Sequence, residues 1–76
     1  MKEMIEYIVK GLVEFPEQVT VTMVEAERTT VIELGVAQSD LGKVIGKQGK
    51  MAKALRTVLA AVGTKEGKRI ILEIVE

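Results

Sequence analysis

A chain of 76 residues, 47% of them hydrophobic, has room for one folded domain spanning residues 1–76 and too much apolar material for a disordered segment. With no Cys and no His, it lacks the means for a disulfide or thiolate site, the usual general base and most transition-metal ligands. The net charge is zero but unevenly spread. Residues 1–40 carry three basic side chains against eight acids, residues 41–76 carry eight against three, and no acid falls between Leu41 and Lys65. Such asymmetry fits nucleic-acid contact, a solvated basic face, or a basic face that pairs with the acidic half of a second copy.

The opening Met1-Lys2-Glu3-Met4-Ile5-Glu6 puts acids where a secretory signal needs an apolar segment. No apolar run approaches the roughly 18 residues of a membrane helix. The expectation is a soluble cytoplasmic protein with no membrane partner.

Met1, Ile5, Ile8, Val9 and Leu12 recur at helical spacing, with Lys2, Glu3, Glu6, Lys10 and Glu14 on the other side. Pro16 turns Phe15 toward an extended conformation, so this first helix is predicted to end near Phe15. Val19, Val21 and Met23 then alternate with Thr20 and Thr22 as a half-buried strand does. Glu25 to Arg28 is a polar turn. A second strand follows, with Thr30, Ile32, Leu34 and Val36 on one face and Val31 and Glu33 on the other.

Ser39 is the predicted N-cap of a short helix, with Asp40 in its first turn. Gly46 stops that helix, and Gly46-Lys47-Gln48-Gly49 makes a tight loop. A longer helix is predicted from Lys50 to Val62, with Met51, Ala54, Leu55, Val58, Leu59 and Val62 in one sector and Lys50, Lys53 and Arg56 opposite. Gly63 is its expected stop and Gly67 helps the chain turn. A last strand runs from Arg69 to Val75 with Ile70, Leu72 and Ile74 on one face. The order is α-β-β-α-α-β, an α+β fold with a three-stranded mixed sheet covered on one face by three helices.

The informative segment is Gly42-Lys43-Val44-Ile45-Gly46-Lys47-Gln48-Gly49-Lys50. It joins two helices, its central residues are polar, and the second helix turns its N-terminus to it. Lys43, Lys47, Lys50 and Lys53 surround that point. Close approach at glycine, free N–H donors and mobile cations together suit a sugar-phosphate backbone. The spacing is wrong for a phosphate-binding P-loop, since only three residues separate Gly42 from Gly46 and neither Ser nor Thr follows Lys47. A dinucleotide fingerprint would follow a strand, not a helix. The plain alternative is a helix-turn-helix corner with solubilising lysines.

Ile45-Gly46-Lys47-Gln48-Gly49, between a short and a long helix and preceded by α-β-β, resembles the I-G-x-x-G signature of KH domains. The extra N-terminal helix and strand resemble the bacterial, type II arrangement, and the whole chain is similar to small stand-alone bacterial KH proteins. The resemblance implies that Gly46-Lys47-Gln48-Gly49 clamps the backbone of about four single-stranded nucleotides. The bases would lie in an apolar groove between Ile45 with the neighbouring helices and the last strand around Ile71 to Glu73. Ala52 stands where many KH domains carry a bulky aliphatic, which makes for a shallower groove wall.

The roles that follow are close backbone approach at Gly46 and Gly49, phosphate contacts from Lys47 and Gln48, a surrounding field from Lys43, Lys50, Lys53 and Arg56, and base contact from Ile45. The resemblance further implies an RNA chaperone or post-transcriptional regulator that forms a homodimer or pairs with a larger KH-domain protein.

Tyr7 and Phe15, the only two aromatic rings, are expected to be core or edge residues, which argues against modules that stack bases on aromatics. Nothing in the sequence builds an active site. Ser39 is explained by capping, Glu3, Glu6, Glu14 and Glu17 by a solvated face, and Glu25 and Glu27 do not make a Mg²⁺ site. The chain is expected to be no enzyme and to need no metal or cofactor. The competing reading is a protein-interaction or dimerisation module with a KH-like fold and little RNA binding of its own.

Overall fold

Strand periodicity and one helical crossover set the architecture. In the computed structural model, which describes residues 1–46 and 49–75, the order is α1 (Lys2–Lys10), a 3-10 turn (Pro16–Gln18), β1 (Thr20–Glu25), β2 (Thr29–Gly35), a second 3-10 turn (Gln38–Asp40), α2 (Leu41–Ile45), α3 (Lys50–Glu66) and β3 (Arg69–Val75). The sheet order is β1-β2-β3. β1 and β2 form an antiparallel hairpin in which Val21 pairs with Leu34 and Met23 with Ile32. β2 and β3 are parallel, with Ile32 opposite Leu72, because the α2–α3 crossover returns the chain to the same end of the sheet. The expected α-β-β-α-α-β order and mixed sheet are thus the observed ones.

Alternation along the strands sends Val21, Thr30, Ile32, Leu34 and Leu72 inward, where they meet Ile5, Val9, Val44, Leu55 and Leu59 from the helices. α1 packs on β1 at one edge of the sheet and α3 on β3 at the other. The opposite face is bare and carries Val24, Val31 and Ile71 side by side in register.

Three helical details differ from the sequence reading. α1 ends at Lys10, not near Phe15. The next amides turn elsewhere: Leu12 and Val13 donate to the Val9 carbonyl, and Glu14 and Phe15 donate to the Asp40 carboxylate. α3 runs on to Glu66, through Gly63. It stops at Gly67, whose φ of 70° is left-handed, with Lys68 N–H donating to the Gly63 carbonyl at 2.8 Å and Gly67 N–H to that of Thr64, a Schellman ending. The buried stripe of α3 is Ala52, Leu55, Leu59 and Gly63, while Ala54 and Val58 are exposed. Gly63 joins that stripe because the returning chain passes so close that a Cβ there would strike the Lys68 carbonyl.

The Ser39 and Asp40 assignments also change. Asp40 holds the N-cap position of α2 but makes no capping bond there, and Ser39 is exposed. The Asp40 side chain, only 1% exposed, instead reaches across 25 and 26 residues of chain to two backbone N–H groups, at 3.1 Å to Glu14 and 3.0 Å to Phe15. A carboxylate only accepts hydrogen bonds, and burial without partners would be costly, so this tether locks the segment after α1 onto the start of α2.

Candidate nucleic-acid interface

The α2–α3 corner is built around two glycines that are required for different reasons. Gly46 ends α2 with an ordinary φ of −78°. Its N–H donates to the Gly42 carbonyl at 2.8 Å, and a Cβ at Gly46 would collide with that same oxygen. Gly49 starts α3 at φ 68° and ψ 27°, in the left-handed region, with open space where a Cβ would stand. Its N–H donates to the Gly46 carbonyl at 2.9 Å and closes the loop. Close approach fixes the first glycine and backbone handedness the second. Lys47 and Gln48, the expected phosphate contacts, lie outside the described residues.

The expected contact residues do not form one field. Ile45 is 51% exposed, beside the corner and open to a ligand. Lys43 and Lys50 line a cleft of about 390 Å³ on the α1 side, together with Leu12, Gly46 and Met51 among the described residues. Arg56 faces the other way, toward β3, where its guanidinium reaches the Leu72 carbonyl at 3.5 Å. Lys53 is exposed on the outer face of α3, where its carbonyl accepts from the Thr57 hydroxyl. Among the described residues Lys50, Lys53 and Arg56 make no ion pair, whereas Lys43 meets Glu14 at 2.9 Å. The corner therefore offers cations on both flanks, one already engaged by an acid.

Ala52 does not form a groove wall, because it is 4% exposed and belongs to the core side of α3. Tyr7 is not a core or edge ring: at 83% exposed, it stands in solvent. It lies two residues from both buried positions of α1, Ile5 and Val9, about 200° around the helix from each. Sequence reasoning missed Leu12 as a lining residue, since its spacing continues the apolar pattern of α1 and only the early end of that helix turns it outward.

A family model for the KhpA/KhpB KH domain matches residues 2–74. The chain belongs to this family. It is similar to the RNA-binding protein KhpA of Aquifex aeolicus, at 54% identity over all 76 residues and 96% of that protein. It is also similar to KhpA of Clostridium acetobutylicum, at 51% identity over 99% of this chain and all of that protein, and to KhpA of Listeria monocytogenes, at 50% identity over the full length of both. No solved structure matches the chain. Among the described residues there is no cluster of three or more metal-ligating side chains and no helix long and apolar enough to cross a membrane.

Proposed function

We propose that the protein binds single-stranded RNA, holding the sugar-phosphate backbone at the Gly46–Gly49 corner, with no catalytic step. The observation that carries this reading is the corner itself. Two glycines with distinct structural necessities bracket a two-residue loop, α3 points its N-terminus at it, and Lys43 and Lys50 flank it, with Lys53 one turn further along α3, in a stretch with no acid between Leu41 and Lys65. Free N–H groups at a helix start and mobile ammonium groups recognise phosphate without regard to sequence. Ile45, half out of water on the same corner, supplies apolar contact to a base, and Arg56 over the edge of β3 supplies a donor at the far wall of the groove. Such backbone-led binding suits an RNA chaperone or a post-transcriptional regulator.

The test compares the natural protein with the double variant Lys47→Asp, Gln48→Asp by fluorescence anisotropy on a pool of short single-stranded RNAs, with circular dichroism to verify folding. The folded variant is expected to lose most of its binding. With three or four phosphates engaged, log affinity of the natural protein should fall against log salt with a slope of about −2 to −3. Equal binding by both proteins, or binding indifferent to salt, would return the corner to a structural role and favour a protein-interaction module.

A further inference from the structure

We propose that the cleft between the end of α1 and the α2–α3 corner is a second RNA subsite, which takes one nucleotide beyond those at the clamp. Its base lies on Leu12 and Met51 and its phosphate between Lys43 and Lys50. The inference rests on the clamp reading and extends it to a surface on the other side of the corner from β3.

The chemistry of the cleft selects its occupant. Its volume of about 390 Å³ lies within the range of small-ligand sites. Two apolar side chains, Leu12 and Met51, and two cations, Lys43 and Lys50, line it among the described residues. A nucleotide offers the matching pair of features, a flat apolar base and an anionic phosphate. A purely apolar peptide segment would desolvate the Lys50 ammonium and the Lys43–Glu14 pair and offer neither a new partner. The cleft is also continuous with the clamp, because Gly46 lines it while its carbonyl closes the loop to Gly49. A strand held at the loop thus reaches the cleft without leaving the protein surface.

Two further observations show a site set up in advance. Leu12 is 54% exposed, an aliphatic side chain left half in water at the mouth of a cleft. The segment that carries it is fixed by the two hydrogen bonds from Glu14 and Phe15 to buried Asp40, so little ordering remains to oppose binding. Glu14 meanwhile occupies the Lys43 ammonium at 2.9 Å, the position a phosphate takes when RNA enters.

The experiment measures affinity for a tetranucleotide and an octanucleotide of mixed sequence, by anisotropy, for the natural protein, Leu12→Asn and Tyr7→Ala. Tyr7 lines the adjoining cleft with Leu12 but not this one, and it serves as the surface control. The natural protein should bind the octanucleotide more tightly, and Leu12→Asn should remove about fivefold of that gain, the worth of one lost apolar contact. Tyr7→Ala should keep the gain. If Leu12→Asn retains the full gain, or if Tyr7→Ala removes it equally, the subsite is wrong while the clamp stands. If Leu12→Asn instead changes only self-association, measured by light scattering, the cleft is a protein contact and the subsite is wrong. If the natural protein binds neither RNA, the clamp reading fails and the subsite falls with it.

Discussion

Replacing Asp40 with Ala should destabilise the domain by about 2–4 kcal/mol. Its carboxylate accepts from the Glu14 and Phe15 amides at 3.1 and 3.0 Å and is almost wholly buried. Each hydrogen bond to a charged acceptor contributes roughly 1.5–3 kcal/mol, and the two donors are only partly buried, so water recovers a share of the sum. For a chain of 76 residues, whose total stability by size is about 4–11 kcal/mol, the loss is large. It corresponds to a fall in Tm on the order of 10–25 °C. Asp40→Asn keeps one acceptor oxygen and should lose roughly half as much. Ser39→Ala should change stability by less than about 0.5 kcal/mol, because Ser39 is exposed and Asp40 holds the N-cap position. Urea denaturation followed by circular dichroism gives all three values. Hydrogen exchange at the Glu14 and Phe15 amides reports the tether directly, and both should exchange faster in Asp40→Ala. If Asp40→Ala falls within about 0.5 kcal/mol of the natural protein, or if Ser39→Ala costs as much, the long-range tether is not what holds the segment.

The glycines of the corner should separate by mechanism. Gly46→Ala should cost about 1–3 kcal/mol, because its Cβ meets the Gly42 carbonyl. Gly49→Ala should cost about 1–2 kcal/mol through left-handed backbone strain alone. Gly42→Ala, with open space around its Cβ position in α2, should be neutral or stabilising by up to about 1 kcal/mol. Chemical denaturation of the three variants checks this order. Glu14→Gln removes the acid that holds Lys43. Because the pair is exposed, stability should move by less than about 1 kcal/mol, while RNA affinity at low salt should rise about two- to threefold and the rise should vanish at high salt. An affinity that is unchanged or lower at low salt would show that Lys43 does not meet phosphate.

What was legible in the sequence was what local periodicity encodes. The alternation of Val19, Val21 and Met23 and of Thr30, Ile32 and Leu34 fixed both hairpin strands and their inward face, and the end of α2 at Gly46 and the start of α3 after Gly49 fell where the two glycines put them. What escaped depended on contacts distant in the chain. Nothing near Asp40 announces that its carboxylate serves the Glu14 and Phe15 amides, so it was read as a first-turn acid behind a Ser39 cap. The same tether ends α1 early and turns Leu12 outward, although Leu12 continues the apolar spacing of that helix. The apolar face of α3 was read as Met51, Ala54, Leu55, Val58, Leu59 and Val62; Leu55 and Leu59 are indeed buried, but the stripe continues through Ala52 and Gly63, where the chain passes close at Lys68, and leaves Ala54 and Val58 exposed. Tyr7 was misjudged because aromatic residues are mostly found inside small cores, while its position on the helix sets it opposite Ile5 and Val9.

The sheet has helices on one side only, and this bears on how the protein behaves when crowded. Val24, Val31 and Ile71 form an apolar row across its bare face, and in the next row Thr22, Glu33 and Glu73 stand abreast. Two carboxylates directly opposite each other on neighbouring strands repel by a few tenths of a kcal/mol up to about 1 kcal/mol. That cost has a return in solubility: a second sheet could not stack dry on this face without burying both acids. On the proposed RNA-binding reading, the same two carboxylates disfavour a strand laid across the middle of the sheet, and the α2–α3 corner is the side it should meet.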